Sequence, residues 1–294
     1  MAKILDGKKL STEIRGEVKQ DIVKLKENGI VPGLAGILVG QNEGSATYVR
    51  LKEKAAEALG IHSQAVRLPE DISEEQLLKQ IDKIYLDSKI HGIFIQLPLP
   101  KHINENRALN AILPEKDVDG FHPMNVGKAW LGQEAFLPAT PDGIREILTR
   151  YGYSNLKDKH AVMVSADNLV GKPMASILIQ ENVGVNVTLC HPATPNLSDY
   201  TRQADILVVS VNKARFITAD MVKEGVIAID FGANYIENPA DKTKRKLVGD
   251  IDFEKVKEKA EAITPVPGGV GPMTITMLLC STVKAAKIMS RSRL

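Results

Sequence analysis

Short apolar runs, each closed by glycine, proline or a polar turn, recur along this chain and alternate with stretches of helical spacing. GLAGILVG (Gly33 to Gly40) and GIFIQLPLP (Gly92 to Pro100) lie in the first half. AVMVSA (Ala161 to Ala166), NVTLCH (Asn186 to His191), ADILVVSV (Ala204 to Val211) and VIAIDFG (Val226 to Gly232) lie in the second. A strand that is apolar at successive positions offers no face to water, so it must be covered on both sides. That is the situation of a parallel sheet whose crossovers are helices. Few other folds accommodate such a pattern.

The intervals support this reading. Leu10, Ile14, Val18, Ile22 and Leu25 recur at three- to four-residue spacing, and Gly29 then Pro32 end the helix. A second helix is expected from about Ser45 to Leu59, with Ser45 as N-cap and Gly60 just past the end. HSQAVRLP reads as a strand and SEEQLLKQIDKIYLD as a helix. A polar, proline-containing passage from Pro114 to Pro141 then breaks the rhythm and sets a domain boundary near Thr140. The expected fold class is α/β in two domains. Residues 1–140 form an α/β domain with a parallel sheet, and residues 141–272 a Rossmann-like nucleotide-binding domain. The last helix, within 273–294, returns to the first domain.

Composition narrows the function. Lys plus Arg number 38 against 36 acids, a net charge of +2, and no basic stripe interleaved with aromatics appears, so no nucleic-acid partner is expected. The run KTKRK (Lys242 to Lys246) is short enough to be a solvated hairpin tip. Two cysteines cannot build a disulfide framework and suggest a reducing cytosol. No run of 18 apolar residues occurs and the first residues lack an apolar targeting core, so a cytoplasmic protein with no membrane partner is expected. His122 and His191 stand alone, and no His/Cys spacing resembles a metal site.

Residues Ile263 to Thr274 read ITPVPGGVGPMT, with Gly or Pro at six of the eight positions from Pro265 to Pro272. Such a segment suits neither a ladder nor a helix interior. It is expected to be a shaped loop against which a flat ligand can lie, with a helix starting at Pro272.

Tyr48 and Lys52 lie four apart, which on a helix gives an aromatic ring and an amine on one face; an ordinary amphipathic helix with a snorkelling lysine has the same spacing. Gln96 closes the strand GIFIQ where a parallel sheet places its sites, or else caps the loop. Asp117 and Asp119 cannot share a dry pocket without raising a pKa, so one is expected as a turn cap and the other as a ligand contact. In the second domain the turn after the first strand reads VMVSADNLVGKPM. Gly171 and Pro173 suit a helix start, but Ser165 and Asp167 occupy the bend. At the end of the next strand His191-Pro192-Ala193-Thr194 stands where an acid would grip the ribose of NAD. The missing acid is compatible with NADP and makes NAD the less favoured cofactor.

Taken together, SATYVRLKEKAAEALGI, GIFIQLPLP, PEKDVDGFHPMNVGK, LPATPDGI, NLVGKPM, IDFGAN, VGDIDF and ITPVPGGVGPMT resemble the bifunctional methylenetetrahydrofolate dehydrogenase/methenyltetrahydrofolate cyclohydrolase family across essentially the whole chain. The resemblance implies two α/β domains flanking a cleft and a homodimer joined through the nucleotide domain. It implies NADP-dependent oxidation of 5,10-methylenetetrahydrofolate to the methenyl compound, then hydrolysis to 10-formyltetrahydrofolate. It assigns Tyr48 to stacking on the folate, Lys52 to proton handling, Gln96 to tuning that lysine and Asp119 to holding the pterin. Ile95, Leu97, Pro267, Gly268 and Gly269 complete the folate side, making residues 1–140 the folate-binding catalytic domain. Ser165, Ala166, Asp167, Gly171, Pro173, His191, Pro192, Thr194 and Ala233 form the NADP side.

The departures cluster on that second side. Ser165 and Asp167 replace the usual Gly then Ser, Pro192 the usual Ser or Arg, and Asn212-Lys213-Ala214 the usual Gly-Lys-Pro. A bare carboxylate about 5 Å from a phosphate would cost roughly 3 kcal/mol at an effective dielectric near 20. This sets out an alternative: a cyclohydrolase whose dehydrogenase is impaired or lost.

Overall fold

The structure is a computed structural model that describes residues 2–238 and 241–291. Its strands are β1 (Lys3–Ile4), β2 (Gly33–Val39), β3 (His62–Leu68), β4 (Gly92–Ile95), β5 (His160–Val164), β6 (Asn186–Cys190), β7 (Ile206–Val209), β8 (Ile227–Asp230), β9 (Asn234–Asn238), β10 (Asp241–Val248) and β11 (Ala262–Ile263). Its helices are α1 (Gly7–Glu27), α2 (Glu43–Leu59), α3 (Glu74–Tyr85), α4 (Glu105–Asn110), α5 (Pro123–Trp130), α6 (Ala139–Arg150), α7 (Gly171–Leu178), α8 (Leu197–Thr201), α9 (Phe253–Val256) and α10 (Val270–Arg291). The chain divides into two compact units, Thr12–Ala139 with Ile275–Leu294, and Met1–Ser11 with Thr140–Thr274.

The first unit holds a three-stranded sheet in the order β3-β2-β4, parallel throughout. Ala35, Ile37, Val39, Ile93 and Ile95 project from one face into a core with Leu77, Ile81 and Ile84 of α3. That helix opens on a full capping box, Ser73 with Gln76, and buries one stripe of its surface. Two boundaries differ from expectation. Helix α2 is capped by Asn42, not Ser45: the Asn42 side chain accepts the backbone N–H of Ser45, so the helix starts earlier. Strand β4 stops at Ile95 rather than running to Pro100, since Pro98 and Pro100 have no N–H with which to continue the ladder.

The second unit holds a six-stranded sheet in the order β1-β11-β8-β7-β5-β6, with every pairing parallel. From β5 the chain moves outward to β6, then returns to the other side of β5 to form β7. The strand order therefore reverses between β5 and β7, which in open α/β sheets is where the carboxyl-end crevice forms. The N-terminal residues depart from the expected first domain. Lys3 and Ile4 pair with Ala262 and Ile263, which draws the chain up to Ser11 into this unit. A two-residue strand carries too little periodicity to be seen in sequence. The KTKRK run lies on β10 of the β9–β10 hairpin, where Arg245 and Lys246 are exposed; the side chains of Lys242 to Lys244 fall outside the described residues.

Candidate active site

Lys52 is buried on α2 in the stripe Ser45, Val49, Lys52 and Ala56. Its side chain runs inward and its Nζ lies 4.0 Å from the centroid of the Phe94 ring. The nearest amide oxygen, Gln96 Oε1, is 3.4 Å away, a long hydrogen bond, while Gln96 Nε2 donates to Leu97 O at 2.9 Å. The backbone N–H of Gln96 donates to Ile37 O at 2.9 Å, so the residue extends the β2–β4 ladder past the last strand position. Burial pulls the Lys52 pKa down, and the charge of Asp119 acts in the opposite sense. Asp119 is pushed up by burial and drawn back by Lys52. An amine and a carboxyl group of displaced proton affinity thus interact beside the carboxyl end of a parallel sheet. Tyr48, one turn before Lys52, is 43% exposed, so the ring stands at the surface while the amine does not.

Phe94 escaped the sequence reading. Its partner across the sheet is Gly36, and a Cβ on that glycine would lie 2.4 Å from Phe94 Cζ. The bare backbone of β2 is what lets the ring lie beneath the amine. One signal was available: an isolated glycine within the apolar run GLAGILVG marks a close approach.

The two aspartates of the DVDG turn divide their work. Asp117 accepts the backbone N–H groups of Gly120 at 3.1 Å, Phe121 at 3.3 Å and His122 at 2.8 Å, and Asn125 Nδ2 at 2.9 Å. It is the turn cap, and the turn it fixes carries Asp119. His122 caps α5, its Nδ1 accepting the N–H of Met124 at 3.0 Å. Gly92 has the same function for this turn as Gly36 for the ring, since a Cβ there would meet Val118 Cγ1 at 2.6 Å.

In the second unit the loops after β5 and β7 flank the switch point. A Cβ on Gly171 would sit 1.3 Å from Ser165 O, so only glycine lets the start of α7 close on the end of β5. Pro173 is buried in the first turn of α7. Asp167 is not a bare carboxylate. It accepts Ser165 Oγ at 2.6 Å and the backbone N–H groups of Leu169 at 2.8 Å and Val170 at 2.7 Å, which caps the turn leading into the helix. The loop after β7 is shaped by Asp250, whose carboxylate accepts the N–H groups of Val211 at 2.6 Å, Asn212 at 3.0 Å and Lys213 at 2.8 Å. His191 and Pro192 are exposed on the turn after β6, closed by Thr194 N–H to His191 O at 3.0 Å, and Ala233 is exposed after β8.

Comparison with known proteins decides the relationship. The model of the tetrahydrofolate dehydrogenase/cyclohydrolase catalytic domain matches residues 5–119, and that of the family's NAD(P)-binding domain matches residues 138–290. This chain belongs to the tetrahydrofolate dehydrogenase/cyclohydrolase family. The bifunctional protein FolD of Bacillus pumilus is 52% identical over 97% of this chain and 98% of its own. The bifunctional FolD methylenetetrahydrofolate dehydrogenase/cyclohydrolase of Campylobacter jejuni superposes with a TM-score of 0.92 at 48% identity, covering 98% of this chain and 100% of that one. The Trypanosoma brucei enzyme, solved with NADP and an inhibitor, gives 0.93 at 34% identity, covering 99% of both.

Tyr48, Lys52, Ile95, Gln96, Leu97 and Asp119 of this family member all lie in one unit, whereas Pro267, Gly268 and Gly269 lie in the other with the candidate NADP residues. Part of that loop's glycine content serves the chain itself. Gly268 has φ +107° and its carbonyl accepts the N–H of Lys8 at 2.8 Å, and a Cβ on Gly269 would meet Pro265 O at 2.6 Å. The helix that follows begins at Val270, so Pro272 sits inside its first turn, where no backbone donor is required. Among the described residues no group of three metal-ligating side chains occurs.

Proposed function

We propose that this chain oxidises 5,10-methylenetetrahydrofolate with NADP and hydrolyses the resulting methenyl compound to 10-formyltetrahydrofolate. The observation that carries the reading is the buried Lys52 amine beside Gln96 and the charge of Asp119. Hydrolysis needs a water added to a cationic carbon and a proton moved as the ring opens. A lysine whose affinity for its proton is lowered by burial serves as acid and base nearer neutral pH than a free one. Gln96 holds the amine by an oxygen that cannot take its proton, and Asp119 holds the pterin. Tyr48 stacks on the folate.

NADP supplies the hydride acceptor when bound. The residues that would hold it are those of the β5 turn, Ser165 to Pro173, with His191, Pro192, Thr194 and Ala233. The turn fits such a group, because Gly171 allows the α7 terminus to close on the strand and the Asp167 carboxylate is already engaged by three donors. These donors offset part of the charge on which the reading of a dehydrogenase-deficient enzyme rests. We further propose a cytoplasmic homodimer. A chain with only two cysteines has no disulfide framework to maintain, which supports a reducing compartment. Strand β6, at the sheet edge with Leu189 40% exposed, offers a surface for a second copy.

The test is the absorbance of the methenyl species. With methylenetetrahydrofolate and NADP it should rise and then decay, and supplied methenyl compound should decay without cofactor. Decay alone, with no rise at any NADP concentration, would restore the hydrolase-only alternative.

A further inference from the structure

We propose that Phe94, seated against Gly36, is a positioning residue that holds the Lys52 amine on an aromatic face and keeps it protonatable. This rests on the assignment of Lys52 to proton handling. The ring centroid is 4.0 Å from Nζ, closer than the limit of about 6 Å at which a cation is drawn to a ring face. Phe94 is 2% exposed and Lys52 6%, so the contact is made out of water, where such attraction is strongest. The polar partner on the sheet side is weak by comparison, since Gln96 Oε1 stands at the limit of hydrogen bonding.

The site is built for the ring. In the β2–β4 register Gly36 faces Phe94, and any larger residue at 36 would put a carbon within 2.4 Å of the ring's far edge. The two positions form one complementary pair, a missing side chain opposite an oversized one. A branched aliphatic pair would fill the same volume but would give the amine no electron-rich face. The charged group facing the amine is Asp119, from the turn capped by Asp117; Gln96 from the sheet is neutral. Burial by itself lowers the affinity of Lys52 for its proton. Asp119 and the ring both favour the ammonium, and the ring does so without supplying a competing base.

The experiment replaces Phe94 with mono-, di- and trifluorophenylalanine, which withdraw charge from the ring face while nearly keeping its shape. Lys52 is titrated through its 13Cε resonance, assigned by its loss in Lys52→Ala, and the pH profile of methenyl hydrolysis is recorded alongside. Each added fluorine should move the Lys52 midpoint to lower pH, by about one unit at full substitution, a tenfold change in the protonation ratio. The limb of the hydrolysis profile should follow. The aliphatic pair Gly36→Val with Phe94→Leu should reproduce the full shift in a folded protein. A midpoint unmoved by fluorination overturns the role of the ring, even if Lys52→Ala abolishes hydrolysis. Normal hydrolysis in Lys52→Ala overturns the assignment of the lysine as well, so the two failures are told apart.

Discussion

The backbone N–H of Asp250 donates to Oδ1 of Asp230 at 2.9 Å, and both carboxylates are buried. Asp230 also accepts the N–H groups of Gly232 and Ile251, each at 2.8 Å, while Asp250 gathers those of Val211, Asn212 and Lys213. The pair thus ties the turns after β7 and β8 together, beside the switch point of the sheet. Asp250→Ala strands three backbone donors and should cost about 3 kcal/mol or more in urea unfolding, with a raised KM for NADP. Asp250→Asn keeps one acceptor oxygen and should cost roughly half as much. Equal stability of wild type and Asp250→Ala would show that the turn is held otherwise.

Asp230 gives the fold a pH dependence. Burial, opposed by its three backbone hydrogen bonds, pushes its pKa up to about 6 from an ordinary 3.8. The folded state therefore binds this proton more tightly than the unfolded chain does. The contribution is present in full below the unfolded value and is lost as pH rises through about 6. Roughly two pKa units correspond to at most about 3 kcal/mol. Asp230→Asn should remove this slope, so the stability of the variant relative to wild type should improve between pH 4.5 and pH 7. A difference that does not change across that interval would refute the assignment.

Lys52→Ala should lower methenyl hydrolysis by a factor of roughly one hundred or more. Its effect on stability has the opposite sign. Because burial depresses the folded pKa of Lys52, the charged amine is a cost at neutral pH that fades as pH rises toward its unfolded value. Lys52→Met should therefore unfold at higher urea than wild type at pH 7, with the advantage shrinking by pH 10. A variant less stable than wild type at pH 7 would contradict a desolvated amine.

Asp167→Ala distinguishes a cap from a repulsive charge. As a cap, its removal should cost about 1–2 kcal/mol and weaken NADP binding, because the turn into α7 loosens. As a repulsive charge, its removal should tighten NADP binding. A fluorescence titration with NADPH reads the sign directly.

Gly171→Ala should be severe for one activity and mild for the other. A Cβ 1.3 Å from Ser165 O forces the α7 terminus off the strand, so oxidation should fall to background. Hydrolysis of supplied methenyl compound should persist, since Lys52 and its neighbours lie in the other unit. Loss of both activities would mean that the damage is global.

Much of this protein is written locally. Apolar runs with helical intervals specify parallel strands, because a segment with no polar face must be covered twice, and β5, β6, β7 and β8 of the large sheet follow that pattern. The four-residue step from Tyr48 to Lys52 and the position of Gln96 at a strand end are equally local, which is why they could be named from spacing and type. What spacing could not supply was the depth at which each residue lies. Tyr48 and Lys52 share a helix, yet one is at the surface and the other buried, since the sheet covers only part of that helix.

Tertiary structure alone decided the pairings between distant segments. The register of β2 against β4 brings Gly36 to Phe94, and nothing near either residue specifies it. The choice of Asp117 as cap, leaving Asp119 to face the amine, depends on how one turn lies along β4. Asp167, a liability when read as an isolated charge, is held by hydrogen bonds that exist only once the turn has closed. In each instance the deciding term is desolvation or close packing. Both depend on what the rest of the chain places within a few ångströms, and the order of residues along the chain does not state that distance.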